Sequence, residues 1–248
     1  MKTVKALLAA LLIFGLACPA LAGWLIKEKS DGEVNNLYFQ NNQMRDESPE
    51  AVSLMDLAQG RLTIINPAEK TYWSGPYSEV AKIRDQAMNQ MQEQLKQLPP
   101  EQRAAAMQAM QAAMGKGDKP RPKVEVKKTG QSEVIAGFKA FKYEIWSDGQ
   151  LREELWISPD IALSKELDTK KMKKMMAAFA QTGGDDAYEM DPAVQALWTK
   201  GYPVKVVSKL QGETMVRQVI QAQRKNLPSS LFVVPKGYRQ VELMEMFK

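Results

Sequence analysis

Residues Ile135 to Ser158 read I-A-G-F-K-A-F-K-Y-E-I-W-S-D-G-Q-L-R-E-E-L-W-I-S. From Phe138 to Trp146 the residues alternate, with Phe141, Tyr143 and Ile145 on one face. Asp148-Gly149 then supplies a two-residue turn, because both residues tolerate positive φ. After it, Leu151, Glu153, Leu155 and Ile157 alternate against Arg152, Glu154 and Trp156. A period of two on both sides of an Asp-Gly pair specifies an antiparallel hairpin with one apolar side.

The same grammar extends towards the N-terminus. Trp24 to Lys29 and Glu33 to Gln40 flank Asp31-Gly32, and Asn41-Asn42 leads into Gln43 to Glu47. Val52 to Leu57, Arg61 to Ile65 and Thr71 to Trp73 follow, separated by Gln59-Gly60 and Asn66-Pro67. These short runs predict an antiparallel meander. From Pro76 the period changes: Val80, Ile83, Ala87, Met91, Leu95 and Leu98 step by three and four, an amphipathic helix with proline near its start. Pro99-Pro100 ends it, a second helix is expected over Glu101 to Met114, and Gly115 to Pro122 reads as a solvated linker.

Strands resume at Val124, with Lys128-Thr129-Gly130 expected as a break before Ser132 to Ile135. Downstream of the opening hairpin, a helix is predicted from about Ser164 to Ala180 and a shorter one from Asp191-Pro192 towards Trp198. A final hairpin pairs Val204 to Leu210 with Thr214 to Gln221 across Gln211-Gly212. The tail Leu231 to Tyr238 is expected to add an edge strand or a helical turn. The fold class expected is α+β, one large antiparallel sheet with the helical pieces packed on one face.

Three stretches together carry a family resemblance: Leu62 to Trp73 (L-T-I-I-N-P-A-E-K-T-Y-W), Ile135 to Ser158, and the ending F-V-V-P-K-G-Y at Phe232 to Tyr238. The arrangement resembles an exported bacterial family of unknown function similar to the outer-membrane lipoprotein carriers, LolA- and LolB-like. The resemblance implies a half-barrel, a curved antiparallel sheet with helices covering its concave face. It also maps Arg45, in Q-M-R-D-E, to an early-strand arginine that helps latch a closed cavity in those carriers. The insertion at about residues 77–123 is longer than in a plain carrier.

The start of the chain has the form of a secretory signal. Lys2 and Lys5 precede the apolar run Ala6 to Ala17, which is too short for a bilayer span of about 20 residues. Ala20-Leu21-Ala22 offers an A-x-A site with cleavage before Gly23, leaving a periplasmic protein and a single domain over residues 23–248. The alternative is a lipoprotein anchored at Cys18, although Gly15 stands where leucine is usual and Pro19 follows. Cleavage at Gly23 removes the chain's one cysteine, and the 248 residues contain no histidine. It also lowers the 34 basic residues to 32 against 29 acids, a net charge of +3. That excess is too small and too scattered for nucleic acid to be expected as a partner.

Without histidine or a mature cysteine, Ser-His-Asp and Cys-His catalysis and ordinary zinc sites are excluded. Asp185-Asp186 lacks the spacing of a calcium loop, and no phosphate-cradling glycine motif joins a strand to a helix. No enzymatic activity and no cofactor are expected. The informative residues are methionines at helical spacing: Met88 and Met91, then Met107, Met110 and Met114, then Met172, Met175 and Met176 with Phe179. Methionine fills irregular core gaps, and the same pliability suits varied apolar ligands. Lys170, Lys171, Lys173 and Lys174 lie opposite the last group and form a solvated face or a transient membrane contact. The expected function is non-enzymatic binding of an apolar ligand, a lipid or a lipid-modified protein. An envelope interaction or sensory module is the alternative, and thioether binding of Cu(I) the third reading.

Overall fold

The computed structural model describes residues 22–99, 102–106, 122–179, 187–210 and 212–247. The predicted signal segment with Cys18, the methionines Met107, Met110 and Met114, the predicted linker over residues 115–121 and the pair Asp185-Asp186 lie outside them.

Twelve strands form one open sheet. The first six are β1 (Gly23–Ser30), β2 (Glu33–Gln40), β3 (Gln43–Glu47), β4 (Val52–Asp56), β5 (Arg61–Asn66) and β6 (Thr71–Pro76). Then come β7 (Val124–Ile135), β8 (Phe138–Ser147), β9 (Gln150–Ser158), β10 (Tyr202–Leu210), β11 (Glu213–Lys225) and β12 (Arg239–Gln240). The order is β12-β6-β5-β4-β3-β2-β1-β11-β10-β9-β8-β7. Two meanders, β1 to β6 and β7 to β11, are therefore joined by antiparallel pairing of β1 with β11. All pairings are antiparallel except that of β12 with β6. The turn chemistry read from the sequence holds: Asp31, Gly32, Asn41, Asn42, Asp148 and Gly149 all have positive φ, which matches the right-handed twist of the strands they join.

Register partners lie on one face of a sheet, so a row can be followed across strands. Trp24, Phe39, Met44, Met55 and Leu62 are successive partners from β1 to β5. The next row is Ile26, Leu37, Asp46, Ser53, Ile64 and Trp73. This face, here the inner face, is concave. Trp24 on β1 and Phe138 on β8 stand four strand spacings apart, about 19 Å in a flat sheet, yet their ring centroids are 6.3 Å apart. Phe39 on β2 and Tyr202 on β10 meet in the same way at 6.2 Å. Only a strongly rolled sheet brings such rings together.

Two long helices are present, α1 (Tyr77–Lys96) and α2 (Thr169–Phe179), with a one-turn helix α3 (Pro192–Gln195). Residues 102–106 are also helical, the described part of the predicted second helix. Met172 and Met175 of α2 pack in the cluster of Trp24, Ile26 and Phe39, while Val80 and Ile83 of α1 pack with Leu62 and Trp73. The helical pieces do not all share one face, however. Tyr188, Val194 and Leu197 pack with Tyr143, Ile145, Leu155 and Ile157. On β8, Phe138 and Ala140 belong to the first cluster, so this second cluster lies on the outer face. The reason is the alternation of the opening hairpin, whose apolar side needs cover of its own.

Two further expectations are corrected. Thr129-Gly130 does not end a strand: β7 runs through it as a register shift, with Thr129 Oγ1 donating to the Lys142 carbonyl and accepting from Gln131 N–H. And α2 begins at Thr169 rather than near Ser164, because Asp168 Oδ1 accepts from the N–H groups of Lys170 and Lys171 and so caps the helix there. A 3-10 turn occupies Leu163–Lys165.

The C-terminal segment wraps the β6 edge. Val234 and Tyr238 pack on Val52, Leu54 and Ile65 of the outer face. β12 then pairs with β6, and Leu243 and Met246 pack against Leu62 and Trp73 on the inner face.

Candidate functional site

The apolar inner face, against which Met172 and Met175 of α2 and Val80 and Ile83 of α1 pack, is the candidate site. It is floored by the row from Trp24 to Leu62 and continued by Ile64 and Trp73. At its far end Gly75 partners Leu62, and a Cβ there would run into the Trp73 ring and the Glu79 carboxylate, so glycine lets α1 start close to the sheet.

The predicted residues divide. Met175 is 6% exposed and Met172 half-buried, both in the inner cluster, with Met176 half-buried beside them. Met91 is 41% exposed on α1. Met88 and Phe179 fall within α1 and α2, but their side chains, like Met107, Met110 and Met114, are outside what is described. Lys170, Lys171, Lys173 and Lys174 are exposed. Arg45 occupies the row after Tyr38 and before Leu54, on the outer face. Its Nη1 donates to the Leu231 carbonyl at 3.1 Å and its Nε to Glu47 at 3.2 Å, so it fastens the C-terminal segment.

The N-terminal end of α2 is tied to the sheet. Asn42 N–H donates to the Glu166 carbonyl at 2.7 Å, and Asp168 N–H to Asn42 Oδ1 at 2.6 Å. Arg224 donates to Glu166 Oε1 at 2.6 Å and to the Ala22 carbonyl.

Sequence reasoning missed the charged groups that enter the inner face. Glu28 accepts from Tyr202 Oη at 2.7 Å and from Arg217 Nη1 at 2.8 and 2.7 Å, stitching β1 to β10 and β11. Burial, and then the Glu28 charge, push the Tyr202 phenol well above its usual range. Burial works to lower the Arg217 guanidinium, but Glu28 and Tyr202 outweigh it and hold it up. Partial burial of its carboxyl, then Glu28, raise Asp46, with Arg217 opposing.

On β8, beyond Phe138 and Ala140, the rows become ionic. Lys142 on β8 partners Trp156 on β9, which partners Lys205 on β10. Both ammonium groups lie over the Trp156 ring, at 5.3 and 4.6 Å from its centroid. Lys142 is 9% exposed, pairs with Glu154 and lies 3.4 Å from Glu144. The hydrogen bond with Glu154 raises its pKa against the opposing effect of burial.

A polar groove of about 490 Å³ lies outside this face's centre, lined by Trp73, Ser74, Glu79, Gln240, Val241, Glu242 and Glu245. Among the described residues no group of three or more carboxylates, cysteines or histidines is arranged to hold a metal, and no helix is long and apolar enough to cross a membrane.

The family model for a domain of unknown function, DUF4412, matches residues 80–238, well over half of the chain. The chain belongs to that family. No curated protein matches it. Among solved structures, PNGF-II in its C2 and P21 crystal forms aligns with 90% and 91% of this chain at 12% and 11% identity, with TM-scores of 0.38 and 0.39. The chain spans about a third of the length of those proteins, 32% and 33%.

Proposed function

We propose that this member of the DUF4412 family is a non-enzymatic periplasmic binding protein that holds an apolar ligand, a lipid or the acyl chain of a lipid-modified protein. In this reading the rolled sheet is a half-barrel, α1 and α2 cover its concave face, and the pliable methionines of α2 adjust to the chain. The observation that carries it is the unbroken apolar row Trp24, Phe39, Met44, Met55 and Leu62, on the face where Trp24 meets Phe138 across the roll. A chain laid along that row beneath Met172 and Met175 is removed from water at about 25 cal/mol per Å² of apolar area. The anchored N-terminal end of α2 leaves its far end as the part that yields, and its exposed lysines suit a brief encounter with an anionic membrane.

Native mass spectrometry of protein purified from periplasm tests this. Co-purifying lipid, or saturable uptake of a fluorescent fatty acid, is the expected result. Protein that is empty and takes up no fatty acid overturns the reading.

A further inference from the structure

The inner cluster contains a buried polar group that has no partner among the described residues. Trp24 is 5% exposed, and its indole Nε1 has no hydrogen-bond partner among the described residues. Buried tryptophan N–H groups ordinarily find an acceptor. Trp146 on the ionic part of the sheet follows that rule, donating to Glu144 Oε2 at 3.1 Å. In the inner cluster the Tyr202 hydroxyl is also satisfied, by Glu28. Trp24 is the exception, and it stands at one end of the row that floors the candidate site. It is the first residue of the apolar row, meets Phe138 edge-on, and belongs to the cluster that takes in Met172 and Met175.

An indole N–H donates and never accepts, so whatever completes it must bring an acceptor. A pure hydrocarbon leaves it unsatisfied, whereas an oxygen on an otherwise apolar chain satisfies it. The Arg224 guanidinium, whose carbon lies 5.5 Å from the Trp24 ring centroid, is already paired with Glu166, so the indole N–H takes a charged or a neutral acyl oxygen as its partner. We propose that Trp24 Nε1 donates to the acyl oxygen of the bound ligand. The protein thereby selects acyl compounds, whether carboxylates, esters or amides, over plain hydrocarbons. This rests on the binding function proposed above and narrows its ligand class.

The test uses the mature chain with three probes of equal length: palmitate, methyl palmitate and hexadecane. Trp24→Phe keeps an aromatic ring and removes the donor. It is expected to weaken palmitate and methyl palmitate by about fivefold, the scale of one net hydrogen bond, and to leave hexadecane unchanged. Independently of that variant, the Trp24 indole N–H signal in the wild-type nitrogen–proton spectrum is expected to move downfield with the acyl probes and not with hexadecane. A shift with palmitate alone assigns a free carboxylate as the acceptor, and a shift with both acyl probes assigns the carbonyl of an acylated molecule. An unmoved indole signal, or equal losses for all three probes, overturns the inference and leaves the binding function standing. Failure of all three to bind wild-type protein overturns both.

Discussion

Two regions of this sheet are written in different chemistries. Between β1 and β6 its rows are Trp24–Phe39–Met44–Met55–Leu62 and Ile26–Leu37–Asp46–Ser53–Ile64–Trp73. Between β8 and β10 the rows become Lys142–Trp156–Lys205 and Glu144–Glu154. Met172 and Met175 of α2 and Val80 and Ile83 of α1 pack against the apolar half. The ionic half closes itself: long lysine stems lie along Trp156 while their heads pair with Glu144, Glu154 and Glu133. Strand pairing holds both halves in one sheet, and the binding function proposed above falls to the first.

The largest expected effect falls on the apolar half. Trp73→Ala, which empties the space between Leu62 and Leu243, is expected to cost about 3–5 kcal/mol in urea unfolding. A cost below about 1 kcal/mol would mean that this half is not a packed core. Next comes the seam. Glu28→Ala leaves the Tyr202 hydroxyl and Arg217 without their shared acceptor and is expected to cost about 2–4 kcal/mol, measured in the same way. A smaller loss follows on the ionic half, where Glu154→Gln should cost about 1–2 kcal/mol near neutral pH. The Lys142 pKa is raised, so the stabilisation is present below the ordinary lysine pKa and fades as pH rises through the folded-state value. The difference between variant and wild type should therefore vanish at strongly alkaline pH. The smallest effect has the opposite sign. The Asp46 carboxyl is raised, so the folded protein holds its proton better than the unfolded chain, and stability falls as pH rises through the carboxylate range. Asp46→Asn should raise the melting temperature slightly at neutral pH, with the gain shrinking on acidification. A gain that grows in acid would reverse the role given to Glu28.

Local chemistry made much of the strand order legible. Asp31-Gly32, Asn41-Asn42 and Asp148-Gly149 fixed three hairpins, because only residues that accept positive φ turn there. The start of α2 was misplaced because Leu163 and Leu167 keep helical spacing across a 3-10 turn, and only the Asp168 cap shows where the helix begins. β7 was divided because Thr129-Gly130 reads as a turn when the Lys142 carbonyl it bonds is not in view. The site residues were harder. Glu28 looks like one more solvent-facing position in an alternating strand, and its partner Arg217 is 189 residues away. Trp24 opens a strand with nothing nearby in sequence to mark its N–H as unpartnered. The methionine spacing did lead to the inner cluster through Met172 and Met175, since helical periodicity is a local property.

The wrapping of the β6 edge has a consequence in time. β6 ends at Pro76, but the strand that covers its free side begins at Arg239, and Leu243 completes the packing around Trp73. The first meander therefore keeps an open margin until Arg239 to Leu243 dock, long after β6 in the order of synthesis. Such distant pairing is slow. Until that pairing forms, this edge is open to any other extended strand, and Arg239, Gln240 and Leu243 decide when the exposure ends.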